Sequence, residues 1–510
     1  SKMSFYKHLK EHAEKDPSHL AIIDGDTCLS YGEFVSQIEC FASATSKLEL
    51  NANSKIGLLC LNQKEYLIVF FAALLKGIPV IPFNFLLKPE DLIYIRQDAG
   101  IDTLVVDSTF VKPEIATFFK LFENKILIGS ADPTQVGEGA LNWEEFMAMG
   151  DPKDSIKRHE RAENIPDVIL YTSGTTAKPK GVMLAENQFD SNCNGFLQHL
   201  HFTSEDRVIV ALPLFHSFGN IMAWALLRSG ATLILLQQFQ PKTILDSIAR
   251  HKATLLPLVP TIYSFLVQLY ARGGYDVSSL RYCISGGASL PEILLKRVEE
   301  VLDVTVIEGY GLTETSPVIA VNTMKNGSVP GSVGLVLPNV ELEIVHEAGN
   351  PVMHGEVGEI RVRGETVMKG YWNKPNETAE TLSADGWLRT GDLGHMDEKG
   401  RLFISAGRIK DLIIRAGENV SPLAIENTLM IHPAISEVAA VGIADERIGE
   451  KVKVFAVLRE GTQVTAEELK KFCRKKLPAF MIPDLFQFIE FLPKTATGKI
   501  LKSQLREISG

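Results

Sequence analysis

Apolar segments with the lengths of strands and helices alternate along most of this 510-residue chain. Residues 55–61 predict a buried strand, residues 65–75 a helix and residues 78–81 the next strand. The alternation returns at residues 254–259, where a strand precedes a helix that begins after Pro260. Strands that alternate with helices are typical of α/β folds with parallel sheets. Because the chain is too long for one compact core, we predict at least two domains.

Short strands replace this alternation in the second half of the chain, at residues 340–345, 358–362 and 402–404. They predict a β-rich part of the same large domain. Just upstream, Ser289 and Glu292 have the spacing of a capping box, which predicts that Ser289 caps an amphipathic helix.

The last hundred residues predict a separate small α+β unit. Thr465 has the position of a helix cap, Pro478 ends that helix, and residues 485–491 predict a strand. A glycine meets a charged run near residues 406–411, where we place the boundary. The predicted parts are a large N-terminal domain (1–405), a hinge (406–411) and a small mobile C-terminal domain (412–510).

Charge and cysteine usage narrow the classes of partner and compartment. The chain has 52 basic and 62 acidic residues, a net charge of −10, which disfavours nucleic acid as a partner. The six scattered cysteines form no C-x-x-C pair and no metal-ligand spacing, which predicts reduced thiols and a cytoplasmic location. We expect no signal peptide, peroxisomal tripeptide or transmembrane segment. The oligomeric state stays open.

Residues 171–182, with the sequence YTSGTTAKPKGV, form the most specific motif. Its glycines let backbone N–H groups approach an anion, while hydroxyl and ammonium groups add donors and positive charge. The pattern differs from a Walker A loop, and it predicts a cradle for a polyphosphate. The alternative is a polar surface turn. The predicted phosphate-binding residues are Thr172, Ser173, Gly174, Thr175, Thr176 and Lys180.

Further motifs follow in order: EGYGLTE at 308–314, WLRTGD at 387–392, GRIKD at 407–411 and PKTATGK at 493–499. Each is weak alone, because Asp392 and Arg408 could form a surface ion pair and Lys499 could face solvent. Glu314, beside a polyphosphate, would suit Mg²⁺.

Together the motifs resemble the ANL superfamily of adenylate-forming enzymes, which includes acyl-CoA synthetases, nonribosomal adenylation domains and firefly luciferases. The resemblance covers nearly the whole chain, with Ala177 standing where relatives usually have glycine. It implies ATP and Mg²⁺ as cofactors, with Glu314 as the metal ligand. The further nucleotide-binding residues that it implies are Gly287, Ala288, Glu308, Gly309, Tyr310, Gly311, Asp392 and Arg408.

The resemblance also implies how such a site would work. Lys499 would swing in from the small domain during adenylation and neutralise charge that forms at phosphorus. Thr313 would contact the α-phosphate. Lys410 would be the hinge between two poses of the small domain, and Gly417 would line the tunnel of the thiol donor in the second pose.

Residues 212–219, LPLFHSFG, resemble the segment that forms the acid pocket, with His216 near the carboxylate. The alternative is a histidine that bonds only to backbone. The apolar residues that follow could line a chain-shaped cavity or could be helix core: Ile221, Met222, Ala223, Trp224 and Leu227. Residues 216–222 hold no aspartate for an α-ammonium group, which favours an acid without an amino group.

Residues 212–219 and 308–322 look particularly like bacterial acyl-acyl carrier protein synthetases, and residues 340–372 hold no extra segment of the fatty acyl-AMP ligase kind. The resemblance implies ligation of a fatty acid to coenzyme A or, second, to the phosphopantetheine arm of an acyl carrier protein. Departures near the acceptor site, notably Met481 for a frequent lysine, weigh against free coenzyme A. Rival functions are a non-catalytic nucleotide-binding relative and a luciferase-like oxygenase.

Overall fold

The computed structural model describes residues 4–172, 178–237, 239–495 and 498–509. The described strands form three sheets. The strands are β1 Leu20–Asp24, β2 Thr27–Ser30, β3 Ile56–Leu59, β4 Val80–Pro82, β5 Thr103–Asp107, β6 Asn124–Ile128, β7 Leu141–Asn142, β8 Val168–Tyr171, β9 Gly181–Leu184, β10 Arg207–Val210, β11 Thr232–Leu235, β12 Leu255–Leu258, β13 Tyr282–Ser285, β14 Thr305–Gly311, β15 Val318–Val321, β16 Ser332–Val336, β17 Glu341–Val345, β18 Gly358–Arg363, β19 Leu388–Met396, β20 Arg401–Arg408, β21 Ile413–Arg415, β22 Glu418–Val420, β23 Ile435–Asp445, β24 Gly449–Leu458 and β25 Leu485–Phe488.

Helices pack on the faces of these sheets. They are α1 Ser4–Lys15, α2 Tyr31–Lys47, α3 Lys64–Lys76, α4 Pro89–Ala99, α5 Ala116–Phe119, α6 Trp143–Ala148, α7 Glu186–Phe196, α8 Ser217–Arg228, α9 Pro241–His251, α10 Pro260–Tyr270, α11 Glu292–Leu302, α12 Pro375–Thr381, α13 Pro422–Met430, α14 Ala466–Arg474 and α15 Lys502–Ser509. Within the described residues, no helix combines the length and apolarity that crossing a bilayer requires.

The seven-stranded sheet has the order β7-β6-β5-β3-β4-β8-β9 and is parallel except for the β8–β9 pair. Every residue of β3, β4 and β5 is buried, as expected for parallel strands with helices on both faces. Helix α3 between β3 and β4 is also buried almost all round. The strand–helix–strand prediction for residues 55–81 is therefore confirmed, with shorter strands than predicted.

The 13-stranded sheet changes character at β14. Its residues Thr305–Glu308 pair with β13 in parallel, whereas Gly309–Gly311 pair with β15 in antiparallel. On one side of β14 lie the parallel strands β10 to β13, and on the other lie the antiparallel strands β15 to β20. The β-rich part predicted from the short strands is this antiparallel half. A ligand crevice is expected where the order of such a sheet switches.

The five-stranded sheet is built from the C-terminal residues, with β25 added to β24 beside the path β22-β21-β24-β23. The fold is thus mixed α/β with a large N-terminal and a small C-terminal domain, as predicted. Strand β20 still belongs to the large domain, because Arg408 pairs with Asp392. One 3₁₀ turn, Ile409–Asp411, links it to the small sheet. The predicted limits of the hinge stay a prediction.

Two local predictions are wrong and one is confirmed. Helix α11 begins at Glu292 behind Pro291, without a side-chain cap, so Ser289 lies outside the helix. Strand β25 ends three residues before the predicted Phe491, because its pairing with β24 stops at Phe488. Thr465 does cap α14, since its hydroxyl accepts the backbone N–H of Glu468.

Candidate active site

The cleft between the two domains lies at the carboxyl ends of β12, β13 and β14. Its volume is about 370 Å³. Parallel strands end on the same edge, so the loops that follow β13 and β14 meet there. The predicted site residues that line it are Gly287, Ala288, Gly309, Tyr310, Gly311, Asp392, Arg408 and Lys499.

The wall on the large-domain side is an interlocked polar group. Tyr310 donates its hydroxyl to Asp392, which is only 5% exposed, and the other oxygen of Asp392 accepts Nη1 of Arg408 at 3.2 Å. Arg408 also donates to the carbonyl of Thr390 at 3.0 Å. Burial and the charge of Asp392 raise the pKa of Tyr310 well above its ordinary value, so the phenol stays a donor. A carboxylate has about four lone-pair sites, which leaves Asp392 capacity for a ligand hydroxyl.

Glu308 sits behind the cleft. Its side chain is 3% exposed and accepts the backbone N–H of Leu290 at 3.0 Å. Burial raises the pKa of Glu308 to about 8, against the opposing effect of that hydrogen bond. The carboxyl of Glu308 therefore holds the loop that contains Gly287 and Ala288, and its nucleotide-binding role stays a prediction.

The phosphate-loop prediction falls mostly outside the described residues, since Ser173, Gly174, Thr175 and Thr176 lie in 173–177. The two ends of the loop are described. The backbone N–H of Thr172 donates to the carbonyl of Lys180 at 2.9 Å, which closes the loop at its base. The Lys180 ammonium lies 4.6 Å from the centroid of the Tyr371 ring.

Glu314 and Thr313 lie in the turn after β14. Tyr371 donates its hydroxyl to Oε2 of Glu314 at 2.8 Å, so one ring contacts both Glu314 and Lys180. The hydroxyls of Thr313 and Ser217 lie 3.3 Å apart. The described residues hold no group of three metal-ligating side chains. One carboxylate beside substrate phosphates is nevertheless how proteins commonly hold Mg²⁺, so Glu314 fits that role.

Lys499 enters the cleft from the small domain, on the turn between Lys494 and Ile500. Crowding by the surrounding protein and the charge of Arg408 lower the pKa of Lys499, whereas Asp392 and Glu314 oppose that shift. The positive field of Lys499 also acts on His216. The structure therefore brings the predicted catalytic lysine, metal ligand, ribose aspartate and His216 to one place.

His216 caps helix α8, because its Nδ1 accepts the backbone N–H of Phe218 at 3.3 Å. Burial, together with Lys499, lowers the pKa of His216 to about 3, so the ring is neutral at ordinary pH. With Nδ1 accepting, the proton lies on Nε2, which remains a donor. The backbone-bonded alternative thus holds for one nitrogen and leaves the other for a ligand.

The residues of α8 after Gly219 pack into the core. Trp224 is fully buried and lies within 6.1 Å of the ring centroids of Phe5, Phe70, Phe71 and Phe189. Ile221 and Leu227 are also fully buried. For these three residues the core alternative is correct, and a chain-shaped cavity lined by them is wrong.

Lys410 and Gly417, the predicted hinge and tunnel residues, lie outside the cleft lining. Lys410 is exposed in the turn that links the domains, where its charge still lowers the pKa of Lys499 as a minor cause. Gly417 forms the tip of the β21–β22 hairpin at φ +81°, and a Cβ there would meet no atom within 4 Å. Their hinge and thiol-tunnel roles stay predictions.

Ser217, Tyr371 and the contact that holds the Lys499 turn were not predicted from the sequence. Ser217 directly follows His216 within a motif already singled out, so it could have been found. Tyr371 lies in no predicted site motif, and its two contacts arise only from folding. Thr261 donates to the carbonyl of Gly498 at 3.2 Å, a contact across 237 residues that no sequence pattern indicates.

Comparisons with known proteins agree with this arrangement. Residues 9–372 match the AMP-binding enzyme family and residues 424–499 match the AMP-binding enzyme C-terminal domain. A long-chain-fatty-acid–CoA ligase of Bacillus subtilis is 33% identical over 98% of this chain and 93% of its own length. An indoleacetate–CoA ligase of Aromatoleum aromaticum is also 33% identical, over 99% of this chain and 98% of its own.

A solved structure shares the fold at nearly full length. The crystal structure of an anthranilate CoA ligase in complex with anthranoyl-AMP has a TM-score of 0.91 and 27% identity, and covers 99% of this chain and 96% of that one. Together the two family matches span most of the chain and contain Gly287, Tyr310 and Lys499, whereas Asp392 and Arg408 lie in the segment between the two matches. The chain therefore belongs to the AMP-binding enzyme family, the ANL superfamily, as an AMP-forming acid–CoA ligase.

Proposed function

We propose that the protein activates a medium- or long-chain fatty acid as acyl-AMP and transfers the acyl group to coenzyme A. The observation that carries the proposal is the position of Lys499. It reaches from the small domain into the field of Asp392, Glu314 and Arg408. Such a position suits a cation that must meet charge forming at the α-phosphorus and later withdraw.

In the first half-reaction, a carboxylate oxygen of the acid attacks the α-phosphorus of ATP, and the bond to pyrophosphate breaks. Lys499 neutralises negative charge as the two anions approach, and Thr313 and Ser217 offer hydroxyl donors beside it. The neutral His216 donates from Nε2 to the acid. Positioning supplies much of the remaining acceleration.

Nucleotide binding is assigned to the large domain. Asp392 accepts the ribose hydroxyls with the help of Arg408, and the Tyr310 ring stacks on adenine beside Gly287 and Ala288. Thr172 and Lys180 hold the ends of the phosphate loop whose other donors are Ser173, Gly174, Thr175 and Thr176. Glu314 would hold Mg²⁺, which when bound supplies positive charge to the phosphates.

In the second half-reaction, the thiol sulfur attacks the acyl carbon, AMP leaves with the bonding pair, and the thiol proton is lost. Rotation about Lys410 would withdraw Lys499 and bring the Gly417 hairpin to the cleft. Coenzyme A is the first-choice acceptor, because the relatives reported above are named for it. The phosphopantetheine arm of an acyl carrier protein is the alternative.

The choice of a fatty acid rests on the missing aspartate in residues 216–222 and on the Bacillus relative. One observation favours an aryl acid as the second candidate. Phe215, next to His216, packs edge-on against Phe85 at 5.3 Å between ring centroids, and Phe85 stacks on Phe110 at 5.2 Å. Aromatic rings beside His216 would also pack on a flat acid.

Pyrophosphate release across a graded series tests the proposal. The acids are hexanoate to octadecanoate, with indoleacetate and ferulate as aryl members, and coenzyme A and holo-carrier protein are compared as acceptors. We expect the highest kcat/KM with a fatty acid of eight or more carbons and thioester only with coenzyme A. A preference for an aryl acid would show that the substrate is an aryl acid and not a fatty acid. If no acid led to pyrophosphate release, the proposed function would be wrong.

A further inference from the structure

Helix α10 touches the small domain along its exposed side, and two of its residues hold the turn that carries Lys499. The hydroxyl of Thr261 donates to the carbonyl of Gly498 at 3.2 Å. The ammonium of Lys494 lies 5.5 Å from the centroid of the Phe265 ring. Both ends of the turn are therefore in contact with one helix of the other domain.

Two more contacts continue the same side. Gln268 donates to the hydroxyl of Ser436 at 3.4 Å, and Arg272, just beyond the helix, pairs with Glu460 at 2.9 Å. From Thr261 through Phe265 and Gln268 to Arg272 the steps are four, three and four residues, which is the spacing of one helix face. The opposite face is buried in the large domain: Ile262, Tyr263 and Leu266.

We propose that this face of α10, formed by Thr261, Phe265 and Gln268 with Arg272 at its end, seats the small domain for adenylation. Phe265 and Thr261 are positioning residues that place Lys499 beside His216. The inference rests on the proposed function, because it assigns this seat to one of two half-reactions.

Close packing makes the seat specific. A Cβ on Gly498 would lie 2.9 Å from Cγ2 of Val259 and 3.0 Å from the hydroxyl of Thr261, so the turn approaches as near as a glycine allows. Lys494 is fixed from its own side by Glu437 at 2.8 Å, and Glu437 is 5% exposed. These contacts of Gly498 and Lys494 set the position of Lys499, and small displacements of a catalytic group are costly.

The same face is suited to release. Among the described residues, the polar contacts of this face are two neutral hydrogen bonds, a cation–ring contact and one ion pair. The ion pair is open to solvent, since the side chains of Arg272 and Glu460 are 70% and 89% exposed, and such pairs contribute little. A weak seat lets the small domain leave for the thiol step.

The first experiment separates the half-reactions. Phe265→Ala and Thr261→Val are compared with wild type for single-turnover pyrophosphate release with dodecanoate, and for thiolysis of supplied dodecanoyl-AMP by coenzyme A. We expect adenylation to fall about five- to tenfold, and thiolysis to stay within about twofold. Phe265→Tyr, which keeps a ring for Lys494, restores adenylation.

Matched controls are Phe239→Ala and Arg250→Ala. Phe239 is half-buried against the same core cluster as the buried face of α10, and Arg250 forms an exposed pair with Asp26 at 3.7 Å. Neither variant is expected to separate the two half-reactions. Equal loss of both half-reactions in Phe265→Ala and Thr261→Val, or loss of neither, overturns the seat.

The second experiment does not depend on turnover. Gln268→Cys and Ser436→Cys are combined in a Cys28→Ser, Cys40→Ser background, because the other four native cysteines are buried. A short cleavable bismaleimide should link the pair, preserve one turnover of pyrophosphate release and block thioester formation until the linker is cut.

Unimpaired thioester formation by the linked protein, or no link at all, contradicts the seat. Failure of the proposed function looks different. Wild type would then release no pyrophosphate with any acid, while the yield of the link would still report the contact between α10 and the small domain.

Discussion

Asp392, on the large-domain side of the cleft, is 5% exposed and bonded at once to Tyr310 and Arg408, whereas Lys499, on the small-domain side, lines the cleft from a turn. The aspartate and its partners come from strands β14, β19 and β20 of one sheet. The lysine depends on a few contacts with α10. The groups proposed to bind nucleotide are thus fixed by the core, and the group proposed to act during adenylation is delivered.

This difference follows from what each half-reaction needs. AMP must stay in place through both, so its binding groups can be rigid and buried. In the proposed mechanism, Lys499 acts only while charge forms at the α-phosphorus. If it stayed in the cleft, it would obstruct the thiol that attacks the acyl carbon. Substitution of a nucleotide-binding group should therefore slow both half-reactions, whereas substitution of a group carried in by the small domain should slow only one. The following substitutions test this difference, from the largest expected effect to the smallest.

Lys499→Ala should give the largest and most one-sided effect. Loss of a donor aimed at developing charge lowers rates by about 10²–10³-fold, so adenylation should fall by that factor while thiolysis of supplied acyl-AMP is retained. Single-turnover assays of each half-reaction measure both. Lys471→Ala, on the exposed face of α14, is the matched control. An equal fall in both half-reactions would refute the delivered role.

Asp392→Asn should weaken both half-reactions by about 10- to 100-fold. The amide keeps the shape of the side chain but loses the charge that pairs with Arg408 and one of the acceptors for Tyr310. The affinity for AMP, measured by calorimetry, should fall with the rates. Asp397→Asn, which alters a half-buried pair with Arg401 away from the cleft lining, is the control. A loss confined to adenylation would break the comparison.

Local elements and motif order could be predicted from the sequence, because helix periodicity, caps and glycine-rich turns depend on neighbouring residues. Thr465 caps α14 as its spacing indicates. The Ser289 cap fails because a residue 18 positions from Leu290 decides the local structure: Glu308 takes the N–H of Leu290, and Pro291 directly precedes the first helical residue, Glu292. A capping pattern cannot register a competing partner from another strand.

Contacts between residues far apart in the sequence explain the other features that could not be predicted. Apolar spacing on α8 fits a pocket wall and a core helix equally, and only the aromatic rings of α1, α3 and α7 around Trp224 decide for the core. Tyr371 contacts Glu314 across 57 residues and Lys180 from another sheet. The motifs thus predicted the reactive side chains, whereas the residues that contact and position those side chains became visible only in the fold.

The stability of Glu308→Gln relative to wild type should increase as pH rises. The pKa of Glu308 in the folded protein, about 8, lies above its ordinary value. Between about pH 4.5 and 8 the carboxyl ionises in the unfolded protein before it ionises in the folded one. The contribution of Glu308 to the free energy of unfolding is therefore complete at acidic pH and is lost across this range. Each pKa unit corresponds to about 1.4 kcal/mol. The neutral amide keeps an acceptor for Leu290, so relative to wild type the variant should gain about 4 kcal/mol at pH 8 and little at pH 4.5.

Denaturant unfolding at both pH values measures this gain. Glu299→Gln, which alters a carboxylate bonded to the N–H of Val306 at 3.1 Å, controls for the loss of a carboxylate–backbone bond. A variant that is less stable at pH 8 than at pH 4.5, relative to wild type, would show that Glu308 is ionised in the folded protein. The loop with Gly287 and Ala288 would then be held by a charge.

Tyr371→Phe should give the smallest effect, because it removes one bond and keeps the ring beneath Lys180. The lost hydroxyl donates to Glu314 at 2.8 Å, and water can replace part of that bond, so about 1 kcal/mol is expected. Half-maximal pyrophosphate release should then need about fivefold more Mg²⁺, with little change in the rate at saturating metal. Tyr371→Ala, which also removes the ring, should in addition raise the KM for ATP. If the phenylalanine variant instead slowed thiolysis of supplied acyl-AMP, Tyr371 would belong to the groups that serve both half-reactions, and the fixed side of the cleft would extend to the metal ligand.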